Sequence, residues 1–254
     1  MFKKEIQLLS RKSSHWILCI LPFFLAFFMS EGTKNYLNQW MMTGEAVSTN
    51  QEIVLYTGKI IDAKTQFAIS ELHTMLFMVS TLIGLHIFEE RKLHIWDRVI
   101  AKERFLSIIF LTYYLFSFLM IIVNLILYRV IFKLNFPISS ILLFLSIPFI
   151  SLNMGLVAGL YLQSRSVIVN VLMMICMLFG YLGGALSLVS VLSTTKIMDK
   201  IMYLSPISLA NKIVFSQMLD LSTGNYKIFW FVLVFMTIGI SIILIRRKVY
   251  DSIL

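Results

Sequence analysis

Two ionisable side chains, Glu71 and His73, stand at the edge of an apolar stretch of this sequence. A charged group in hydrocarbon costs about 2.5 to 3.5 kcal/mol or more, so such residues usually face a cavity or a partner. The pair could line a path for a polar substrate. Alternatively, if the span starts at Leu72, Glu71 sits in the membrane interface and His73 is a packed ring. Their i,i+2 spacing turns them to different helix faces, which suits an acid–base couple poorly. Other chemistry is scarce. The sequence has no Walker-type phosphate loop, HExxH, GxSxG or CxxC, so neither ATP hydrolysis nor metal-dependent hydrolysis is assigned to it. Cys19 and Cys176 lie in apolar stretches at no metal or redox spacing and read as packing residues. Asn153 and Asn170 are expected to hydrogen-bond between helices.

The elements that must hold these residues are membrane helices. Of 254 residues, 59% are hydrophobic and 14% charged, against about 45 to 50% and about 25% in soluble domains. Apolar runs predict six spans, at about 14–30, 66–88, 105–128, 138–162, 167–192 and 228–245. The first begins as a signal peptide does, but no A-x-A cleavage site follows Met29, so it is read as a span. Pro22 and Pro148 are expected to kink helices rather than end them. The whole chain, 1–254, is read as one all-α transmembrane domain.

Basic residues orient it. With the N-terminus cytoplasmic, segments 1–12, 89–104, 163–166 and 246–254 face inward, and these 41 residues carry 13 of the 22 Lys and Arg side chains. That obeys the positive-inside rule, and it accounts for the net charge of +9 without invoking nucleic acid. Residues 1–12 place Phe2, Ile6 and Leu9 at helical spacing among Lys3, Lys4, Arg11 and Lys12, which fits an interfacial helix on membrane lipid or a basic tail. Two outward segments are long, 31–65 and 193–227. The first reads as a surface loop; the second contains KIMDKIMYLSPISLANKIVFSQML, too polar to span, and predicts one or two helices lying on or dipping into the outer interface.

The inward segment FEERKLHIWDRVIAKERF carries the most information. Leu93, Trp96, Val99 and Ile100 recur at helical spacing, among Glu89, Glu90, Arg91, Asp97, Arg98, Lys102, Glu103 and Arg104. A helix that only bound anionic lipid would gain nothing from its acidic groups. Mixed charge around an aromatic suits a protein partner. Glu89-Glu90 followed by His94 is close to the paired-glutamate motif of CAAX-type membrane proteases, but that motif has Arg where this chain has His94 and lies inside the membrane.

Here the sequence resembles the type-2 ATP-binding-cassette (ABC) permeases. WDRVIA at Trp96–Ala101, after Glu89-Glu90-Arg91-Lys92, is similar to their cytoplasmic coupling segment; Leu204-Ser205-Pro206 looks like the Ser-Pro after their fifth span, and Gly183-Gly184 like a small-residue element near that span's outer end. His94-Ile95 stand where the family often has Gly-Thr, Lys102-Glu103 where it often has Thr-Pro, and no proline follows Gly184. The resemblance implies a six-span exporter subunit in a bacterial plasma membrane, both termini cytoplasmic, paired with a second permease, identical or related. It implies that residues 89–104 dock a separate ATPase, which binds ATP and Mg, and that Gln163, Ser164 and Arg165 form a second contact. This chain itself would hold no cofactor or metal and catalyse nothing. A peptide, antibiotic or other amphiphile is the expected cargo. Two other classes remain: a membrane immunity or sensor protein, and an intramembrane hydrolase built on Glu71 and His73.

Overall fold

The structure, a computed structural model, describes residue 7 and residues 13–42, 52–54, 60–93, 102–186, 196–202 and 204–251. In chain order these form α1 (Ser13–Met42), β1 (Glu52–Val54), β2 (Ile60–Asp62), α2 (Ala63–Lys92), α3 (Lys102–Ile131), α4 (Ile138–Tyr161), α5 (Arg165–Leu182), α6 (Lys196–Met202), α7 (Pro206–Met218) and α8 (Tyr226–Asp251). Six of them, α1 to α5 and α8, contain stretches long and apolar enough to cross a membrane. The chain is an all-α multi-pass membrane protein. Pro22 and Pro148 lie inside continuous helices.

Two boundaries differ from the sequence reading. The fifth span ends at Leu182 rather than 192, because Gly184 takes a left-handed backbone (φ 83°) that a side chain would resist, and the Gly183 N–H closes the turn on the Phe179 carbonyl. The segment 31–65, read as a surface loop, carries the continuation of α1 to Met42 and an antiparallel pairing of β1 with β2, Ile53 opposite Ile61.

The core is organised around α2, the most enclosed span, which packs against α1, α3, α4, α5 and α7. Its closest neighbour is α4. Gly155 and Gly159, four apart on α4, meet Ser80, Ile83, Gly84 and Ile87 of α2, and a Cβ placed on Gly159 would lie 2.6 Å from the Gly84 carbonyl oxygen. Small residues at this spacing let two backbones approach within a medium that supplies no hydrophobic force of its own. Hydrogen bonds add specificity: Asn124 of α3 donates to the Cys19 carbonyl of α1 (2.7 Å), Trp230 of α8 to Ser146 of α4 (2.8 Å), and Ser140 of α4 to Gln217 of α7 (2.7 Å). Among the described residues Asn153 and Asn170 do not bridge helices. Asn153 donates to the Phe149 carbonyl of its own helix, and Asn170, exposed, to Ser166 one turn back.

The segment read as one or two helices lying on or dipping into the outer interface contains two helices, α6 and α7. Ser205 caps α7 by accepting from the Ser208 N–H, and Pro206 follows at a first-turn position where its missing N–H costs nothing. Every residue from Pro206 to Ser216 is buried, so α7 is folded into the bundle among α2, α4, α5 and α8 rather than laid across it.

Candidate functional site

Residues 66, 70, 73 and 74 of α2 lie on one helical face, and this face meets the end of α5 and the side of α7. The Gln66 side-chain amide donates to the Gly184 carbonyl (3.0 Å) and the Ser70 hydroxyl to the Gly183 carbonyl (3.0 Å). Asn211 of α7 donates to Ser70 Oγ (2.9 Å) and to the Gly183 carbonyl (2.5 Å). With both amide hydrogens so used, its Oδ1 accepts from His73 Nδ1. That fixes the imidazole tautomer: Nδ1 carries the proton, and Nε2 is a buried acceptor with no hydrogen bond among the described residues. Ser205 donates to the Phe179 carbonyl (3.0 Å), and the Thr74 side chain lies where a Cβ on Gly180 would fall, 2.8 Å from its methyl carbon. Gly183-Gly184, Ser205-Pro206 and α2, far apart in the chain, are thus joined in one buried polar network.

Glu71 is held on another face. The helix α2 begins at Ala63, well before Glu71, and Glu71 is 3% exposed. His73 packs on Phe144 of α4 with ring centres 4.9 Å apart.

No family model and no curated protein matches this chain. Its function has to be argued from its own residues.

At the other end of α2 the charged cluster divides. Arg91 turns inward and donates to the Gly159 carbonyl (2.6 Å) and the Leu162 carbonyl (3.4 Å), tying down the C-terminus of α4. Glu90 lies 3.6 Å from His86, whose other ring nitrogen is 3.2 Å from the Tyr113 hydroxyl. Lys102 is buried at the start of α3. Leu93 and Arg104 are exposed. Glu89 reaches Arg165 across 3.9 Å, which brings the two expected contact segments together; Gln163 beside it is exposed, and Ser164 caps α5 through the Val167 N–H. Trp96, Asp97, Arg98, Val99 and Ile100 lie outside the described residues.

Asn211, Ser70 and Gln66 escaped the sequence reading. Their signal was polarity inside apolar helical stretches, and it is ambiguous until partners are known. Removing the amide in Asn211→Ala strands His73 Nδ1 and leaves Ser70 Oγ and the Gly183 carbonyl with only their bond to each other, at a cost of about 1 to 3 kcal/mol. The expected result is a lower thermal-unfolding midpoint in detergent; an unchanged midpoint would show that the network is not stabilising.

Proposed function

We propose that this chain is the membrane-spanning subunit of an ATP-driven exporter of the type-2 ABC permease kind, moving a peptide, antibiotic or other amphiphile. The observation that carries this reading is the role of α2 as a single rod. One end holds Glu89 and Arg91 beside Arg165; the other holds Gln66, Ser70 and His73 in the network with Gly183-Gly184 and Asn211. Thirty helical residues span about 45 Å. Glu89 to Lys92, which precede the WDRVIA run in the sequence, and the partners of Gly183-Gly184 thus lie towards opposite ends of one helix. A push on residues 89–104 by an ATPase would tilt α2 and, through it, move α5 and α7 with the network intact.

In this reading the charged end is cytoplasmic, the ATPase supplies ATP and Mg chemistry, and a second permease completes the path. The test is co-expression with an ABC ATPase encoded beside this chain, followed by extraction in mild detergent. The exporter reading expects the ATPase to be retained, to hydrolyse ATP, and to lose retention when residues 89–104 are altered, which also fixes the orientation. A well-folded chain that retains no ATPase would favour a non-transporting immunity or sensor protein.

A further inference from the structure

Where α3 begins and α4 and α8 finish, these three helices leave a groove of about 560 Å³ between them, within the range of roughly 300 to 1,000 Å³ typical of small-molecule sites. The Tyr161 hydroxyl of α4 donates to the Leu244 carbonyl of α8 (2.9 Å), so these two helices reach the same end of the bundle together. Deep in the groove the wall is apolar. Phe110 of α3 and Phe149 of α4, with ring centres 6.1 Å apart, stand at one depth beside Ile238 of α8. One turn nearer the end come Ser107 on α3 and Asn153 on α4, and a further turn brings Glu103, with Arg246 on α8. From Phe110 to Glu103 the helical rise is about 10 Å.

The polar groups of this wall have capacity to spare. Glu103 and Arg246 are both exposed, and among the described residues no ion pair joins them. Ser107 uses its hydroxyl hydrogen on the Glu103 backbone carbonyl (2.9 Å), which leaves the oxygen as an acceptor. Asn153 is only 7% exposed and gives one amide hydrogen to the Phe149 carbonyl (2.6 Å); the second has no acceptor among the described residues. From depth to mouth the groove therefore offers an apolar slot, an amide donor, and then a guanidinium and a carboxylate side by side on its rim. A diacyl phospholipid presents the complementary order of acyl chain, ester carbonyl, phosphate and head group. The carboxylate selects among head groups. An ethanolamine ammonium donates N–H bonds to Glu103 and Ser107, whereas a choline has no N–H and a glycerol no positive charge. The α8 wall belongs to the least enclosed span, and Ile242 on it is exposed, so a lipid enters sideways from the bilayer.

We infer that this groove is a specific binding site for phosphatidylethanolamine. One acyl chain lies against Phe110, Phe149 and Ile238, an ester carbonyl accepts from Asn153, the phosphate accepts from Arg246, and the ammonium donates to Glu103. The site faces lipid and requires neither ATP nor an ATPase, so it goes beyond the exporter reading and does not depend on it.

The test is native mass spectrometry of the whole chain in mild detergent, titrated with phosphatidylethanolamine, phosphatidylglycerol and phosphatidylcholine of identical acyl chains. Wild type is expected to hold one phosphatidylethanolamine about fivefold more tightly than either of the others, the scale of one surface ion pair. Glu103→Gln is expected to bring that preference near one, and Arg246→Gln to weaken all three lipids. Both side chains are exposed, so neither change disturbs packing, and thermal unfolding of each variant checks this. Place is tested separately with a phosphatidylethanolamine carrying a photoreactive diazirine in its acyl chain, which is expected to label peptides of α3, α4 and α8. Equal binding of the three lipids by wild type, tighter binding of phosphatidylglycerol, an undiminished preference in Glu103→Gln, or labelling confined to other helices would each overturn the proposal. With no ATPase in the sample, such a failure leaves the docking at residues 89–104 untouched, and failure of that docking leaves the lipid site standing.

Discussion

Gly155→Leu is expected to yield a chain that reaches the membrane but does not assemble its bundle. A Cβ at position 155 would already fall inside van der Waals contact with the Ser80 carbonyl oxygen and the Ile83 side chain, and 2.9 Å from the Ser80 carbonyl carbon. Two of those three atoms belong to backbone inside α2 and cannot rotate away. Relief comes only by separating α2 from α4, which also breaks the approach at Gly84 and Gly159 and the Arg91 bond to the Gly159 carbonyl. Overpacking of this sort costs about 3 kcal/mol, and the affected crossing is the one around which the other helices are arranged. Gel filtration after mild extraction should show aggregation or loss of the monodisperse peak, with Gly155→Ala intermediate. Gly239→Ala in α8, where a Cβ would meet nothing within 4 Å, should behave as wild type. A Gly155→Leu chain that elutes and melts normally would mean that the α2–α4 crossing is not close.

The second large effect is expected at Trp96. If residues 89–104 dock an ATPase, Trp96, Val99 and Ile100 fill an apolar groove on it, and truncating a buried aromatic anchor typically costs 2 kcal/mol or more, about 30-fold in affinity. Trp96→Ala should therefore release or uncouple the ATPase while leaving the spans assembled. Arg98→Glu should act chiefly on orientation and salt dependence, and a charge reversal on the ATPase should restore it in part. Arg91 provides the contrast. Its guanidinium holds α4, so Arg91→Ala should lower thermal stability as well as coupling. Full ATPase retention and full transport in the Trp96→Ala, Arg98→Glu double variant would sink the docking assignment.

The six spans were legible because apolar runs of their length have no other explanation, and neither Pro22 nor Pro148 disturbed that reading. The end of α5 was not legible. Leu186, Leu188, Val189, Val191 and Leu192 continue the apolar run past Gly183-Gly184, so a hydropathy window sees no boundary where the left-handed Gly184 makes one. The depth of α7 was hidden for the opposite reason: Ser205, Ser208 and Asn211 look interfacial until Ser70, His73 and the Phe179 and Gly183 carbonyls are found to receive two of them. Asn153 and Asn170 were chosen over Asn124 and Asn211 because composition marks a polar residue without saying which face it occupies. The Gly155-x-x-x-Gly159 spacing was readable and is the signal that would have located the α2–α4 crossing.

The polar network also sets an order of events during biosynthesis. Gln66, Ser70 and His73 find partners 113 to 141 residues further along the chain. At roughly 5 to 20 residues per second, α2 leaves the ribosome on the order of ten seconds before Asn211 has been made. During that interval the least apolar span of the protein lacks Asn211, the partner of His73 and Ser70, although the Gly183 and Gly184 carbonyls are made earlier. It must wait at the translocation channel, in the interface, or against α1, and the arrival of α7 is the step that allows it to settle. Nascent chains truncated before Pro206 should therefore hold α2 less firmly in the bilayer than chains long enough to deliver Asn211.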